Sequence, residues 1–300
     1  MHVLFMNADG TVAAEQKISD LTGGLTAALD DGDLFGGAIA GIGDLDGDGT
    51  IGLAVGAYLD DDGGTDRGAI YILDLDRGPF VVNSTGDAGD LTPGDGVCRT
   101  GGFNADGDPA CTLRAAIEET NAWPGADTIH FAIPVSDPGH ATGVWTIAPA
   151  TTPLPSIVST VSIDGSTQPG WTADPIIVLD GSALTGDLDG FMIEPGGADT
   201  TIGHLAIVSY PGDGMHANAD RVRIHDMFIG VLPDGITGLG NGTEGIIVTG
   251  NDVEIHNNLI GGHLNAAIAL NGTSTGTIIT ANTIGTDATG TVDLGNAQGD

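Results

Sequence analysis

Hydrophobic positions fall into two rhythms along the chain. In the first part, short apolar runs such as Val3-Leu4-Phe5-Met6, Leu53-Ala54-Val55-Gly56 and Ala69-Ile70-Tyr71-Ile72-Leu73 alternate with Asp/Gly-rich stretches. That pattern predicts short strands joined by tight turns. From about residue 126 onward the chain repeats itself. Ile202-Gly203-His204-Leu205-Ala206-Ile207, Ile224-His225-Asp226-Met227-Phe228-Ile229-Gly230, Ile255-His256-Asn257-Asn258-Leu259-Ile260-Gly261 and Ile279-Thr280-Ala281-Asn282-Thr283-Ile284-Gly285 align at offsets of 22, 31 and 24 residues. A second track keeps step, through Gly190-Phe191, Gly214-Met215, Gly245-Ile246 and Ala267-Ile268 at offsets of 24, 31 and 22. Two tracks in phase predict coils stacked about 4.8 Å apart, with like residues above like.

Alternation then assigns directions. Val222, Ile224, Val253, Ile255 and Ile279 are expected inside, with Ile224, Ile255 and Ile279 nearly fully buried. Arg221, Arg223 and His225 face out on one coil, and Asp252, Glu254 and His256 on the next. That stacks Arg221 on Asp252, Arg223 on Glu254 and His225 on His256. Asn258 and Asn282 align as an asparagine ladder, and two long loops, 229–241 and 284–296, match each other. Between the two rhythms, 80–125 reads as a junction. It holds a strand-like Val81-Val82-Asn83-Ser84-Thr85 and one helical pattern, with Leu113, Ala116, Ile117 and Thr120 on one face and Thr112 as N-cap.

Composition narrows this to an all-β chain. Fifty-one glycines and 4% aromatic residues exclude an ordinary helical globule, and no Gly-X-Y period allows collagen. The charge is -34, with 41 acidic residues against 7 basic ones. Such a polyanion repels phosphate backbones, so nucleic acid is excluded as a partner. Two readings of the acid excess stay open, solubility in a salty habitat and bound calcium. No apolar run reaches the ~18 residues of a membrane span. The opening Met1–Met6 lacks the charged leader and cleavage site of a signal peptide. Cys98 and Cys111 lie in one Gly/Asp-rich loop, and a local disulfide in an oxidising compartment is expected over two reduced thiols.

Several stretches carry family resemblances. Phe35-Gly36-Gly37-Ala38, Gly43-Asp44-Leu45-Asp46-Gly47-Asp48-Gly49 and Leu53-Ala54-Val55-Gly56-Ala57 resemble an FG-GAP repeat, the blade motif of integrin-α-type propellers, with Tyr58 where that family usually has proline. Cys111-Thr112-Leu113-Arg114-Ala115-Ala116 resembles the bacterial CSLREA segment that precedes exported β-helices. The repeats from 126, with Ile163-Asp164-Gly165-Ser166-Thr167-Gln168-Pro169-Gly170, are similar to bacterial right-handed parallel β-helices of the pectate-lyase fold. The resemblances imply an incomplete propeller-type repeat (1–79), a junction with an N-terminal capping helix (80–125) and an incomplete right-handed parallel β-helix (126–300). The chain is expected to begin and end within repeats.

Candidate chemistry centres on Asp44-Leu45-Asp46-Gly47-Asp48-Gly49-Thr50. Carboxylates at positions one, three and five, glycine at six and the Thr50 carbonyl at seven follow the logic of a calcium loop. Gly52 replaces the expected ninth-position Asp, and a plain acidic hairpin is the alternative. Asp60-Asp61-Asp62 reads as a solvated turn, and Asn104–Asp108 as a turn held by the neighbouring cysteines. The Arg–carboxylate–His wall would suit a sugar acid, or simply be cross-strand ion pairs on a solvated face. The expected function is an extracellular calcium-binding structural or adhesive module of a bacterial surface or secreted protein, with a polysaccharide or another surface protein as partner. A polysaccharide lyase or glycoside hydrolase is the alternative.

Overall fold

The computed structural model describes residues 1–6, 12–19, 25, 29–30, 32–43, 52–73, 78–123, 125–272 and 274–297. The fold is all-β, and the described residues form two compact units, Met1–Gly78 and Pro79–Asp300. Asp44, Asp46, Asp48 and Thr50 lie outside the described residues.

In the first unit, His2–Met6 pairs antiparallel with Val12–Lys17. Ala38–Gly43, Gly52–Ala57 and Ala69–Leu73 form an antiparallel three-stranded sheet. Ile18, Val55 and Leu73 are its buried core, and Phe35 meets Tyr71 edge-on at 5.4 Å. Small residues on Gly52–Ala57 allow close pairing, but they leave little to bury. Ile70 and Ile72 remain exposed on the other face. The Asp60–Asp62 segment is more than a solvated turn. Asp60 is only 4% exposed and accepts a hydrogen bond from the Tyr71 hydroxyl. That bond, with burial and nearby acids, pushes the Tyr71 pKa up to about 12.

The second unit is organised by three parallel sheets. Sheet A takes Phe80–Val82, Asp127–Phe131, Val161–Asp164, Thr201–Gly203, Arg223–His225, Glu254–His256 and Ile278–Thr280, in that spatial order. Sheet B runs in parallel from Val144–Ile147 through Ile177–Asp180, Ala206–Val208, Phe228–Ile229 and Leu259–Ile260 to Thr283–Ile284, with His140–Ala141 antiparallel at its edge. Sheet C holds Phe191–Ile193, Met215–Ala217, Ile246–Val248 and Ile268–Leu270. From Thr201 on, each turn of chain visits A, B and C once. Ile202, Ile224, Ile255 and Ile279 stand in one register column, and Phe191, Met215, Ile246 and Ile268 in another. Both follow the offsets read from the sequence.

Ile224 and Ile255 are fully buried, but Ile279 is 41% exposed. Its strand is the last in sheet A, and among the described residues nothing stacks on its far side. A central column position needs a neighbour above and below, and Ile279 has only one.

Each turn reaches its neighbours through short strands, so the corners must satisfy their own backbone. Asp199, Arg221 and Asp252 take positive φ just before sheet A, and His204, Asp226, Asn257 and Ala281 take it just after. Both series repeat the strand offsets, so one left-handed residue stacks on the next. Arg221 therefore has an aspartate of the same conformation on each neighbouring turn. The guanidinium reaches back to Asp199 at 2.7 Å instead of forward to Asp252. Arg223 does pair with Glu254, at 3.0 Å, on the exposed face.

Side chains bridge the corner amides from turn to turn. Asn258 Oδ1 accepts from Met227 N, and Asn282 Oδ1 accepts from both Asn258 N and Asn258 Nδ2. A second ladder runs through Tyr210, Asn241, His263 and Asn296. Tyr210 N donates to Asn241 Oδ1, Asn241 N to His263 Nδ1, and His263 N to Asn296 Oδ1. His263 is 2% exposed, with Nε2 beside the Ile229 carbonyl at 3.2 Å. Only the neutral ring, protonated at Nε2, donates there and accepts at Nδ1. Burial holds its pKa down, to about 4.

The helix Leu113–Ala122 buries the expected face, Leu113, Ala116, Ile117 and Thr120, and Thr112 Oγ1 caps it by accepting from Ala115 N at 3.0 Å. Leu113, Ala116 and Ile117 join the cluster containing Phe80 and Val82, in the edge strand of sheet A. Cys98 and Cys111 form a disulfide. Arg114 binds Asp87 and the carbonyls of Thr152 and Pro153, tying two loops to the helix start. Asn104 Oδ1 closes its turn by accepting from the amides of Asp106 and Asp108.

Truncating Ile255 to Ala opens a cavity between two turns and should cost about 2–5 kcal/mol, while Ile279→Ala, half in solvent, should cost under about half of that. Urea unfolding of the two variants checks this, and equal losses would contradict the column. His263 predicts a pH effect. As pH falls from the ordinary histidine range towards about 4, the unfolded chain takes up a proton that the folded chain refuses, so stability is lost across that window. The stability difference between the wild type and His263→Gln should shrink by on the order of 2 kcal/mol from about pH 7 to about pH 4.5. A difference that stays constant with pH would contradict the buried neutral ring.

Candidate functional site

Two adjacent register columns on sheet A concentrate imidazole and carboxylate groups. The last strand position of successive turns is Asp164, Gly203, His225, His256 and Thr280. The corner residues that follow include His204 and Asp226, both left-handed. In an ordinary strand, neighbours such as His225 and Asp226 would face opposite sides of the sheet. The positive φ at Asp226 breaks that alternation, and its carboxylate lies beside the imidazole that precedes it. His225 Nδ1 and Asp226 Oδ2 are 2.9 Å apart, and His204 Nε2 lies 3.9 Å from the same oxygen.

Asp164 fixes the first histidine. Its Oδ1 accepts from His204 Nδ1 at 2.9 Å and from Ser166 N at 2.9 Å, where Asp164 also caps the short 3-10 turn Gly165–Thr167. Burial alone raises this carboxyl, but the hydrogen bonds from Ser166 and the contact with His204 outweigh it and hold its pKa below the usual carboxylate value. An ionised Asp164 accepting at Nδ1 leaves His204 Nε2 free to bind. Gly165 makes the approach possible, because a Cβ there would sit 2.1 Å from the His204 carbonyl oxygen.

Gly203 cradles the second histidine. A Cβ on it would lie 2.4 Å from His225 Cε1 and 2.8 Å from each ring nitrogen. The His225 ring therefore rests over the glycine of the preceding turn. On its other side it stacks on His256, with centroids 5.4 Å apart and planes 9° from parallel. Trp171 meets His204 edge-on at 5.2 Å. The side chains of His204 and His225 are about one-fifth exposed, and that of Asp226 is 40% exposed, so the group is open to solvent on one side.

Other polar groups are committed differently. Asp189, Asp213 and Glu244 rise over three consecutive turns near sheet C, which the sequence alone does not reveal. Asp189 Oδ1 accepts from Asp213 N, and Asp213 Oδ1 from Glu244 N, so these carboxylates form another corner ladder. Burial foremost raises the pKa of Asp189 and of Glu244. His216 lies close to Asp189 and Asp213, and its Nε2 meets Thr249 Oγ1 at 3.2 Å. In the first unit Asp30, Asp61 and Asp62 come together as exposed carboxylates. The Asp62 pKa is raised, first by the charge of Asp60.

Of the outward wall read from the sequence, the structure pairs Arg223 with Glu254 and His225 with His256, and leaves both on the same sheet face as the His204–Asp226 group. His204, Asp226 and Asp164 are the members that sequence reasoning missed. His204 follows the glycine of its repeat, and the repeat alignment placed it in the corner column. Its contact with Asp164, however, depends on backbone conformation that no residue pattern announces. Replacing Gly203 with Ala should push the His225 ring off its shelf while the Ile202 column keeps its register. His225 and His256 imidazole resonances should both shift, with about 1–3 kcal/mol of stability lost. Unmoved histidine signals in that variant would contradict the shelf.

Compared with protein-family models, curated proteins and solved structures, the chain gives no match, so the reading of the site stands on its geometry.

Proposed function

We propose that this chain is an extracellular structural or adhesive module of a bacterial surface or secreted protein. In this reading the second unit is a right-handed parallel β-helix with Leu113–Ala122 as its N-terminal cap, and the first is a propeller-type repeat that binds calcium. The observation that carries it is the turn that visits three parallel sheets in constant order around an aliphatic interior. A body in which each turn contacts only its neighbours suits a structural or display role. The disulfide suits an oxidising compartment, and the uncovered Ile70 and Ile72 face suits packing against further blades. A polysaccharide or another surface protein is the proposed partner class. No helix among the described residues is long and apolar enough to cross a membrane.

The competing enzyme reading, a polysaccharide lyase or glycoside hydrolase, draws on Asp189, Asp213 and Glu244. Two of these carboxylates already accept amides from the next turn, which supports a structural role for them. Calcium remains assigned to Asp44, Asp46 and Asp48, with the Thr50 carbonyl, on the spacing of the loop. Titration calorimetry of the full chain should show calcium binding near ~10⁻⁴ M or weaker. Asp46→Ala should abolish it, and unchanged binding in that variant would remove the loop from the site.

A further inference from the structure

We propose that His204, His225 and Asp226 form a binding site for a divalent transition cation of the zinc class, which clamps two consecutive turns of sheet A together. The three ligand atoms lie within 4.8 Å of one another. Ligands about 2.1 Å from a tetrahedral ion stand about 3.4 Å apart. The observed separations from Asp226 Oδ2, 2.9 Å to His225 and 3.9 Å to His204, bracket that spacing, so closure needs small side-chain movements and release to solvent of the proton held in the His225–Asp226 hydrogen bond. Two imidazoles and one carboxylate suit a borderline cation, whereas calcium prefers an all-oxygen shell.

The surroundings behave as an outer shell. Asp164 accepts from His204 Nδ1, which orients the ring and directs Nε2 toward Asp226, and its oxygen is itself anchored by Ser166 N. Carboxylates in that position raise ligand basicity and fix the tautomer. Gly203 and His256 hold the His225 ring from opposite sides. His204 comes from one turn, and His225 and Asp226 from the next, so the ion would add a cross-link to the main-chain hydrogen bonds and the Arg221–Asp199 pair that already join them. With three protein ligands on a partly exposed face, at least one coordination position is left for water or an external ligand.

The test uses the full chain with zinc chloride as probe, in saturating calcium so that the acidic loops are occupied by the harder ion. Equilibrium dialysis should find one zinc per chain, with a rise in melting temperature that grows with zinc concentration. His204→Ala and His225→Ala should each weaken binding at least ~10-fold, and Asp164→Asn, which removes no ligand, by about 10–100-fold. His216→Ala, in the Asp189–Asp213 group, should leave binding unchanged. In the wild type, nitrogen-15 spectra of the histidine rings should show His204 Nε2 and a His225 nitrogen shifting on zinc addition, a readout independent of whether the variants fold. No saturable zinc binding above calcium, loss of binding in His216→Ala, or zinc uptake without a shift at His204 would each overturn the proposal.

Discussion

Turn-to-turn hydrogen bonding is the constraint on which the second unit depends. Its strands from Phe191 on are only two or three residues long, so a large share of each turn lies in corners where strand pairing has stopped. Buried amides there still need acceptors. The chain supplies them with side chains that recur at the strand offsets: Asn258 and Asn282, Asn241 and His263, Asp189 and Asp213, Asp220 and Asn251. Glycine appears where the corners approach too closely for any side chain. At Gly240 a Cβ would fall 1.7 Å from the Gly262 oxygen. The aliphatic columns then fill the interior between the ladders, and each isoleucine has its worth set by how many neighbouring turns cover it.

The same corners generate the candidate site. A left-handed residue turns its side chain to the face its predecessor already occupies, so His225 and Asp226 meet, and His204 joins them from the turn before. Polar ladders and the metal-type group thus both arise at the corners, and differ in their partners, since the ladders accept main-chain amides of the next turn whereas the Asp226 carboxylate meets imidazoles. Asp213 gives its Oδ1 to Thr243 and to the next turn's amide, whereas His204 Nε2 and the Asp226 carboxylate face each other near solvent. The acid excess of the chain favours cations at either kind of cluster, and calcium and zinc are separated by ligand type rather than by charge.

Much of this was legible in the residues. The isoleucine columns, the Thr112 cap, the Asn258–Asn282 ladder, the Arg223–Glu254 and His225–His256 pairs and the Cys98–Cys111 disulfide all follow from spacing or chemistry that a sequence displays. What spacing does not show is backbone handedness. Alternation placed Arg221 over Asp252, but its side chain pairs with Asp199, the left-handed residue of the same column on the preceding turn. It gave no reason to group Asp164, His204 and Asp226, which meet because of corner conformation and two glycines. Burial at the end of a column is also invisible to periodicity, because Ile279 has the same residue pattern as Ile255 and half the neighbours. Asp60 hides beneath Tyr71 for a similar reason, since a run of three aspartates gives no sign which one turns inward.

The central claim is that successive turns stack in the register of the Ile202–Ile224–Ile255–Ile279 column. Methyl-labelled NMR of the isoleucines measures that directly, because each side chain would stand about 4.8 Å from its equivalents in adjacent turns and twice as far from those beyond. The account predicts strong cross-relaxation for Ile202 with Ile224, Ile224 with Ile255 and Ile255 with Ile279, and none between Ile202 and Ile255. Absence of the Ile224–Ile255 contact, or direct contacts that skip a turn, would contradict it.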